Sequence, residues 1–169
     1  MNRRFFLYGS TGAAIVAGLP LLARQDIASP AMAKDNEQFE IEKTEAEWRE
    51  ILTPERYKVL REEATERAFT SPLNEEKRAG TFHCAGCDLP LYSSQTKFES
   101  GTGWPSFWEA LPDAVGTRKD RSFFMVRTEC HCRRCGGHLG HIFDDGPPPT
   151  GKRHCINGLA LTFKPSGAA

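Results

Sequence analysis

The chain lacks an excess of either charge sign, with 22 Lys+Arg against 22 Asp+Glu, so it has no basic balance of the kind that holds nucleic acid. It has no low-complexity tract and no internal repeat beyond two short cysteine pairs, which excludes solenoids and disordered arrays. After Leu22 there is no second apolar run, so nothing beyond the N-terminus is built to sit in a membrane. What is present is concentrated: six cysteines and five histidines, most of them in the second half.

The N-terminus must be set aside before the fold is read. Asn2-Arg3-Arg4-Phe5-Phe6-Leu7 is a twin-arginine start followed by a mildly apolar Gly/Ala/Leu run to Leu22. Ser29-Pro30-Ala31-Met32-Ala33 ends in an Ala-x-Ala pattern, so residues 1–33 read as an export signal cleaved after Ala33. An uncleaved anchor fits less well, because Gly9, Ser10, Thr11, Gly12, Gly18 and Pro20 interrupt the run. Twin-arginine export moves folded proteins, which suits a chain that acquires a metal before reaching an oxidising compartment. The expected address is the bacterial periplasm. Residues 34–169 remain, one domain by length, with 19 Lys+Arg against 21 Asp+Glu and no stable membrane insertion expected after cleavage.

Residues 34–79 read as a helical arm. Thr44-Glu-Ala-Glu47 is a capping box, and Trp48, Ile51 and Leu52 recur at helical spacing. Thr53-Pro54-Glu55 supplies a second N-cap with proline at the first helical position, and Tyr57, Leu60 and Ala64 line one face. Arg61, Glu62, Glu63, Glu66 and Arg67 read as a solvated face, and Ser71-Pro72-Leu73-Asn74 breaks the pattern. From residue 80 to 165 short β-like runs alternate with Gly and Pro: Thr81–His83, Leu91–Tyr92, Phe123–Val126 and Cys155–Phe163. Such spacing predicts a small antiparallel sheet or barrel rather than parallel βαβ units.

Cys84-x-x-Cys87 and Cys132-x-x-Cys135 each occupy a Gly-containing turn whose amides are expected to point at thiolate sulfur. Paired knuckles of this kind predict a tetrahedral zinc with four protein ligands and no open position, a structural staple between distant strands. Disulfides are the alternative that an exported chain with an even cysteine count invites.

Cys155 stands apart in Arg153-His154-Cys155-Ile156-Asn157. On a strand Arg153, Cys155 and Asn157 share a face, where Arg153 can lower the thiol pKa and Asn157 can donate to the thiolate or to a bound substrate. The bland reading is a small buried cysteine, against which the polar neighbours weigh. His138 and His141 in His-Leu-Gly-His are placed to donate to an oxygen of a substrate. Upstream, Trp104 and its aromatic neighbours sit in a Gly/Pro-rich loop that can wall a site for a sulfur-bound methyl or equally be ordinary core.

Cys84-x-x-Cys87, Lys97-Phe-Glu-Ser-Gly-Thr-Gly-Trp-Pro-Ser-Phe107, Cys132-x-x-Cys135, His138-Leu-Gly-His-Ile-Phe-Asp-Asp-Gly-Pro147 and Arg153-His-Cys-Ile-Asn157 closely resemble the B-type methionine sulfoxide reductases, which reduce the R epimer. The resemblance runs collinearly from about Lys43 to Phe163. It implies a mainly β fold of two small antiparallel sheets, barrel-like, with N-terminal helices and a zinc staple held by four cysteines. It implies Cys155 as the nucleophile that forms a sulfenic acid, with His138, His141, Asp145, Arg153 and Asn157 supporting it, and with Trp104 and Phe143 receiving the substrate. Oxidised methionine in proteins or peptides is the implied substrate, and a thioredoxin-like or other thiol is the implied reductant.

Four positions depart from the commonest family pattern. Thr102 stands where many members carry a resolving cysteine, so an external thiol or Cys130, the one unassigned cysteine, must take that part. Cys130 replaces a usual aliphatic residue, His154 a usual tyrosine and Gly158 a frequent serine. Two rivals remain. A zinc-ribbon binding module explains the four ligands only, and a general thiol oxidoreductase needs a free vicinal dithiol, whereas both pairs here are committed to metal.

Overall fold

Two threonine caps open the helices of the computed structural model, which describes residues 37–122 and 125–167. The export segment and its cleavage site lie outside the described residues. Thr44 caps α1 (Glu45–Ile51) with the full reciprocal box, and Thr53 caps α2 (Pro54–Glu62) with proline in the first turn. Burial falls on Trp48, Leu52, Tyr57, Val59 and Leu60, while Ile51, expected on the same stripe, is 54% exposed because the helix ends on it and the chain turns away. Ala64 also falls past the helix, which stops at the left-handed Glu63. The rest of the arm, residues 63–79, is irregular apart from one 3-10 turn at Pro72–Asn74.

Among the described residues nine strands follow: β1 (Gly80–Cys84), β2 (Pro90–Ser93), β3 (Lys97–Phe98), β4 (Ser106–Phe107), β5 (Val115–Asp120), β6 (Arg127–Cys132), β7 (His138–Phe143), β8 (Arg153–Ile156) and β9 (Leu161–Pro165). They form two antiparallel sheets, a three-stranded one in the order β2-β1-β9 and a six-stranded one in the order β3-β4-β8-β7-β6-β5. Two sequence expectations need correction here. Met125 and Val126 are irregular, the strand beginning only at Arg127, while Phe123 and Phe124 lie outside the described residues. The run from Cys155 to Phe163 is two strands, broken by a 3-10 turn at Gly158–Ala160, and its halves belong to different sheets. An apolar run has no marker for such a switch, because both halves bury the same kind of side chain.

The core lies where the sheets face each other. Phe82 of β1 meets Phe107 of β4 edge-on at 5.0 Å, and Tyr92 of β2 stacks on Phe107 at 4.3 Å. Leu91, Leu139, Ile156 and Leu161 are fully buried beside them. Each such side chain contributes about 1.5–3 kcal/mol by leaving water, so these few residues fix β4 and β8 in place and with them the sulfur of Cys155.

Candidate active site

Four cysteines close one end of the core. Their sulfurs all lie within 4.8 Å of one another, with Cys84 Sγ 3.7 Å from Cys135 Sγ and Cys87 Sγ 3.5 Å from Cys132 Sγ. These are not disulfide distances. They match the edges of a tetrahedron, about 3.8 Å for sulfurs bonded 2.3 Å from a central ion, so the four residues are positioned to hold one metal ion and leave no position open. The knuckle amides were expected to point at sulfur, and that of Cys135 does so toward Cys132; those of Ala85 and Gly136 donate instead to the carbonyls of Ala160 and Cys132. Gly136 turns the second knuckle at φ +67°, and a Cβ there would strike the Phe39 ring.

Cys155 lies elsewhere, on a row of side chains that the register carries across the larger sheet: Ser106, Cys155, His141, Glu129 and Arg118. Residues directly opposite on antiparallel strands project to the same face. Behind this row, Phe143 pairs with Arg153 and Asp120 with Arg127. The glycine of His-Leu-Gly-His has a steric reason, since a Cβ on Gly140 would sit 2.0 Å from the Cys155 carbonyl oxygen. Cys155, Trp104, Arg127, His141, Phe143 and Asn157 line one cavity.

Most of the residues expected around Cys155 are gathered there, in roles that differ in detail. Arg153 is gripped by both oxygens of Asp145 at 2.8 Å and lies over the Phe143 ring at 4.5 Å, which fixes its reach. Burial pushes the Cys155 thiol up, and the Thr102 hydroxyl and the Arg153 charge only partly offset it, so the net shift opposes the lowering expected from Arg153. Asn157 reaches the cavity, yet its amide is committed to backbone: its oxygen accepts from the Glu66 N–H at 3.0 Å and its nitrogen donates to the Leu139 carbonyl at 3.0 Å. It holds the end of β8 rather than the Cys155 sulfur.

The two histidines are held by separate carboxylates. His141 Nε2 meets Asp120 Oδ2 at 2.8 Å, and burial lowers the ring's pKa despite that partner. Burial works against the Asp120 charge, but hydrogen bonds from Ser122, His141 and Arg127 outweigh it and hold that carboxyl well below the usual range. His138 sits one layer back, in an adjoining cavity that shares Thr65, Arg127 and His141 with the first. Its Nδ1 lies 2.7 Å from Glu129 Oε1, and its buried Nε2 has no hydrogen-bond partner among the described residues. Glu129 is buried, which opposes ionisation, yet His138 and the bidentate Arg118 hold its pKa at about 2.

Cys130 lies on the far side of the sheet. It pairs with Gly140, which pairs with Ile156, so it stands two strands from β8, about 9–10 Å at the usual strand spacing. A disulfide needs Cα atoms within about 7 Å. Cys130 is fully buried, contacts Tyr92 Oη at 3.4 Å, and burial pushes its thiol up to about 12. The candidate resolving cysteine is therefore placed as core packing, out of reach of Cys155 in this fold.

Glu66 is one residue the sequence reading missed, as it did Glu129, Asp120 and Arg127. Placed there on a solvated face, it instead accepts backbone N–H donors from Gly158 at 2.5 Å and Leu159 at 3.0 Å, while its own carbonyl takes the Trp104 indole N–H at 3.1 Å. Gly158 also has its reason: a Cβ would lie 1.8 Å from Ser71 Oγ. Arg61 is likewise no bystander, since it donates to the Cys135 carbonyl at 3.0 Å and covers Trp48.

A family model described as the SelR domain matches residues 52–165. The chain belongs to the SelR-domain family. It is 56% identical over 130 residues to a protein of Pseudomonas putida strain W619 named peptide methionine sulfoxide reductase MsrB, covering 76% of this chain and 98% of that one. Proteins of the same name from Methanosarcina barkeri (55% over 128 residues, covering 75% of this chain and 90% of theirs) and Agrobacterium fabrum (54% over 126 residues, covering 74% and 93%) are also similar. The SelR-domain match begins at Leu52, so it takes in α2, the whole cavity and all four metal-site cysteines.

Proposed function

We propose that this member of the SelR-domain family is an oxidoreductase, a peptide-methionine (R)-S-oxide reductase that repairs oxidised methionine in proteins. The observation that carries the reading is Cys155 beside His141 at the floor of a cavity walled by Trp104 and Phe143. An indole and a phenyl ring accept the methyl and methylene groups flanking a sulfoxide sulfur.

Cys155 as thiolate attacks the sulfoxide sulfur. The sulfoxide oxygen takes a proton through the paired imidazoles, and the intermediate collapses to methionine and a sulfenic acid on Cys155, the thiol having been oxidised by the oxygen that the sulfoxide lost. Glu129 on His138 Nδ1 leaves Nε2 as the nitrogen free to carry that proton. Asp145 and Phe143 hold the Arg153 charge near the sulfur. With Thr102 beside Cys155 and Cys130 across the sheet, an external thiol resolves the sulfenic acid, giving a mixed disulfide and water, and a second thiol then releases Cys155. A thioredoxin-like reductant fits this need.

The four cysteines would hold zinc in this reading, since four thiolates, three of them buried and Cys87 half-buried, suit that ion and would leave it no catalytic position. When bound it supplies stability and no step of the reaction. Export by the twin-arginine start, cleavage after Ala33 and work in the periplasm complete the proposal, on the support of residues 2–33.

Sulfenic-acid trapping tests the mechanism. One equivalent of a peptide methionine sulfoxide, added without reductant but with dimedone, is expected to place a single dimedone on Cys155. Stoichiometric methionine release with no label on Cys155 would overturn the covalent route.

A further inference from the structure

Three hydroxyls line up behind the reactive sulfur. Thr102 Oγ1 is 3.9 Å from Cys155 Sγ, at the outer limit for a hydroxyl–sulfur hydrogen bond; Ser100 Oγ is 2.8 Å from Thr102 Oγ1 and 2.7 Å from Ser106 Oγ; and Ser106 Oγ donates to the Trp104 carbonyl at 3.1 Å. Ser106 is 1% exposed and is the register partner of Cys155 on β4, so both ends of the line are anchored on the sheet.

Each hydroxyl has one proton, which fixes the direction. With the Ser106 proton on the Trp104 carbonyl, Ser106 Oγ accepts from Ser100, Ser100 Oγ accepts from Thr102, and Thr102 Oγ1 is left to accept from the Cys155 S–H. The reverse setting uses the same atoms: Ser106 donates to Ser100, Ser100 to Thr102, and Thr102 to sulfur. It gives up the bond to the Trp104 carbonyl and gains one to a thiolate, and a hydrogen bond to an ionised acceptor is roughly twice as strong as a neutral one. The reverse setting is thus favoured only when the sulfur is charged.

We propose that Thr102, Ser100 and Ser106 form a reversible hydroxyl chain that follows the ionisation of Cys155, accepting from the thiol and donating to the thiolate. Thr102 touches the reacting atom, and the two serines are positioning residues that act through it. The charged and titratable groups that also face this sulfur are Arg153 with its partner Asp145, His141 on β7 and Arg127 on β6. Against the burial that pushes the thiol up, the Thr102 hydroxyl pulls it down, together with the charge and hydrogen bond of Arg153. The inference rests on Cys155 being the reactive thiol of the proposed function.

The test is the pH profile of Cys155 alkylation by iodoacetamide, read by mass spectrometry of the Cys155 peptide in metal-loaded protein. Thr102→Val removes the donor to the thiolate and is expected to raise the midpoint by about one pH unit, the size of a hydrogen bond to a charged group; Thr102→Ser restores it. Ser106→Ala acts with the opposite sign: Ser100 loses its outward acceptor, turns to Thr102, and locks the chain toward sulfur, so the midpoint falls. Ser100→Ala frees the Thr102 hydroxyl and also lowers it, which keeps the test intact if Ser106→Ala folds poorly. An unchanged midpoint in Thr102→Val, or serine variants that leave the midpoint unchanged or raise it, would overturn the chain. Alkylation needs no sulfoxide, so sulfoxide reduction by the same samples judges the proposed function separately.

Discussion

Removing the Glu66 carboxylate should damage both stability and the cavity wall. Its oxygens accept two backbone N–H groups of the 3-10 turn that carries the chain from β8 to β9. Hydrogen bonds to an ionised acceptor contribute about 1.5–3 kcal/mol each, and since Glu66 is only partly buried the lower end applies, giving about 3 kcal/mol for the pair in Glu66→Ala. At about 3–4 °C per kcal/mol for a domain of this size, the midpoint should fall by about 10 °C in scanning calorimetry. The Glu66 backbone also ties Asn157 and the Trp104 indole. Loosening them should lower kcat/KM by about tenfold, because an error of about 1 Å in a positioned wall costs up to two orders of magnitude. Glu66→Gln turns an N–H donor toward one of the two amides and should lose more than half of the same stability. A variant that melts within about 2 °C of the parent, with unchanged kcat/KM, would refute the assignment.

Other outcomes follow from the same geometry. Burial and the Lys152 charge hold the His154 pKa at about 4, below its ordinary 6.5. Between those values the unfolded chain binds a proton that the folded one does not, so stability is complete above pH 6.5 and drains as pH falls to about 4, by up to about 3 kcal/mol. Urea titrations should show that slope, and His154→Phe should flatten it; an unchanged slope would contradict the cause. Stripping the metal with a chelator should lower the melting midpoint by at least about 10 °C, since binding to such sites is folding free energy; a metal-free sample that melts like the loaded one would remove the staple from the account. Cys130→Ala should keep steady-state turnover within about twofold while costing about 1–2 kcal/mol of core packing. Peptide mapping after one turnover without reductant should find no Cys130–Cys155 disulfide, and finding one would contradict the placement across the sheet.

What could be read in the residues alone is local. The Thr44 box and the Thr53-Pro54 start declare themselves because their partners lie within one turn of chain, and each cysteine knuckle does so by its own Cys-x-x-Cys spacing, although the sulfurs it meets stand 45 and 51 positions away. The gathering of Arg153, Cys155 and His141 was also foreseeable from strand parity and motif order. Glu66 was not: on the sequence it is one more carboxylate in a charged helix-like run, and its partners stand more than ninety positions away. Glu129 and Asp120, which hold the two imidazoles, are hidden in the same way by an intervening strand order. The effect of Arg153 on the thiol was read with the right sign but without the burial that outweighs it, because desolvation belongs to the packed fold and to no single residue.

The most direct test of the central claim is thiol-driven reduction of the separated R and S epimers of a blocked methionine sulfoxide, with Cys155→Ser alongside. Reduction of the R epimer alone, lost in Cys155→Ser, is the predicted result. Turnover of the S epimer, undiminished turnover in the variant, or no turnover of either epimer by folded, metal-loaded protein would contradict the account.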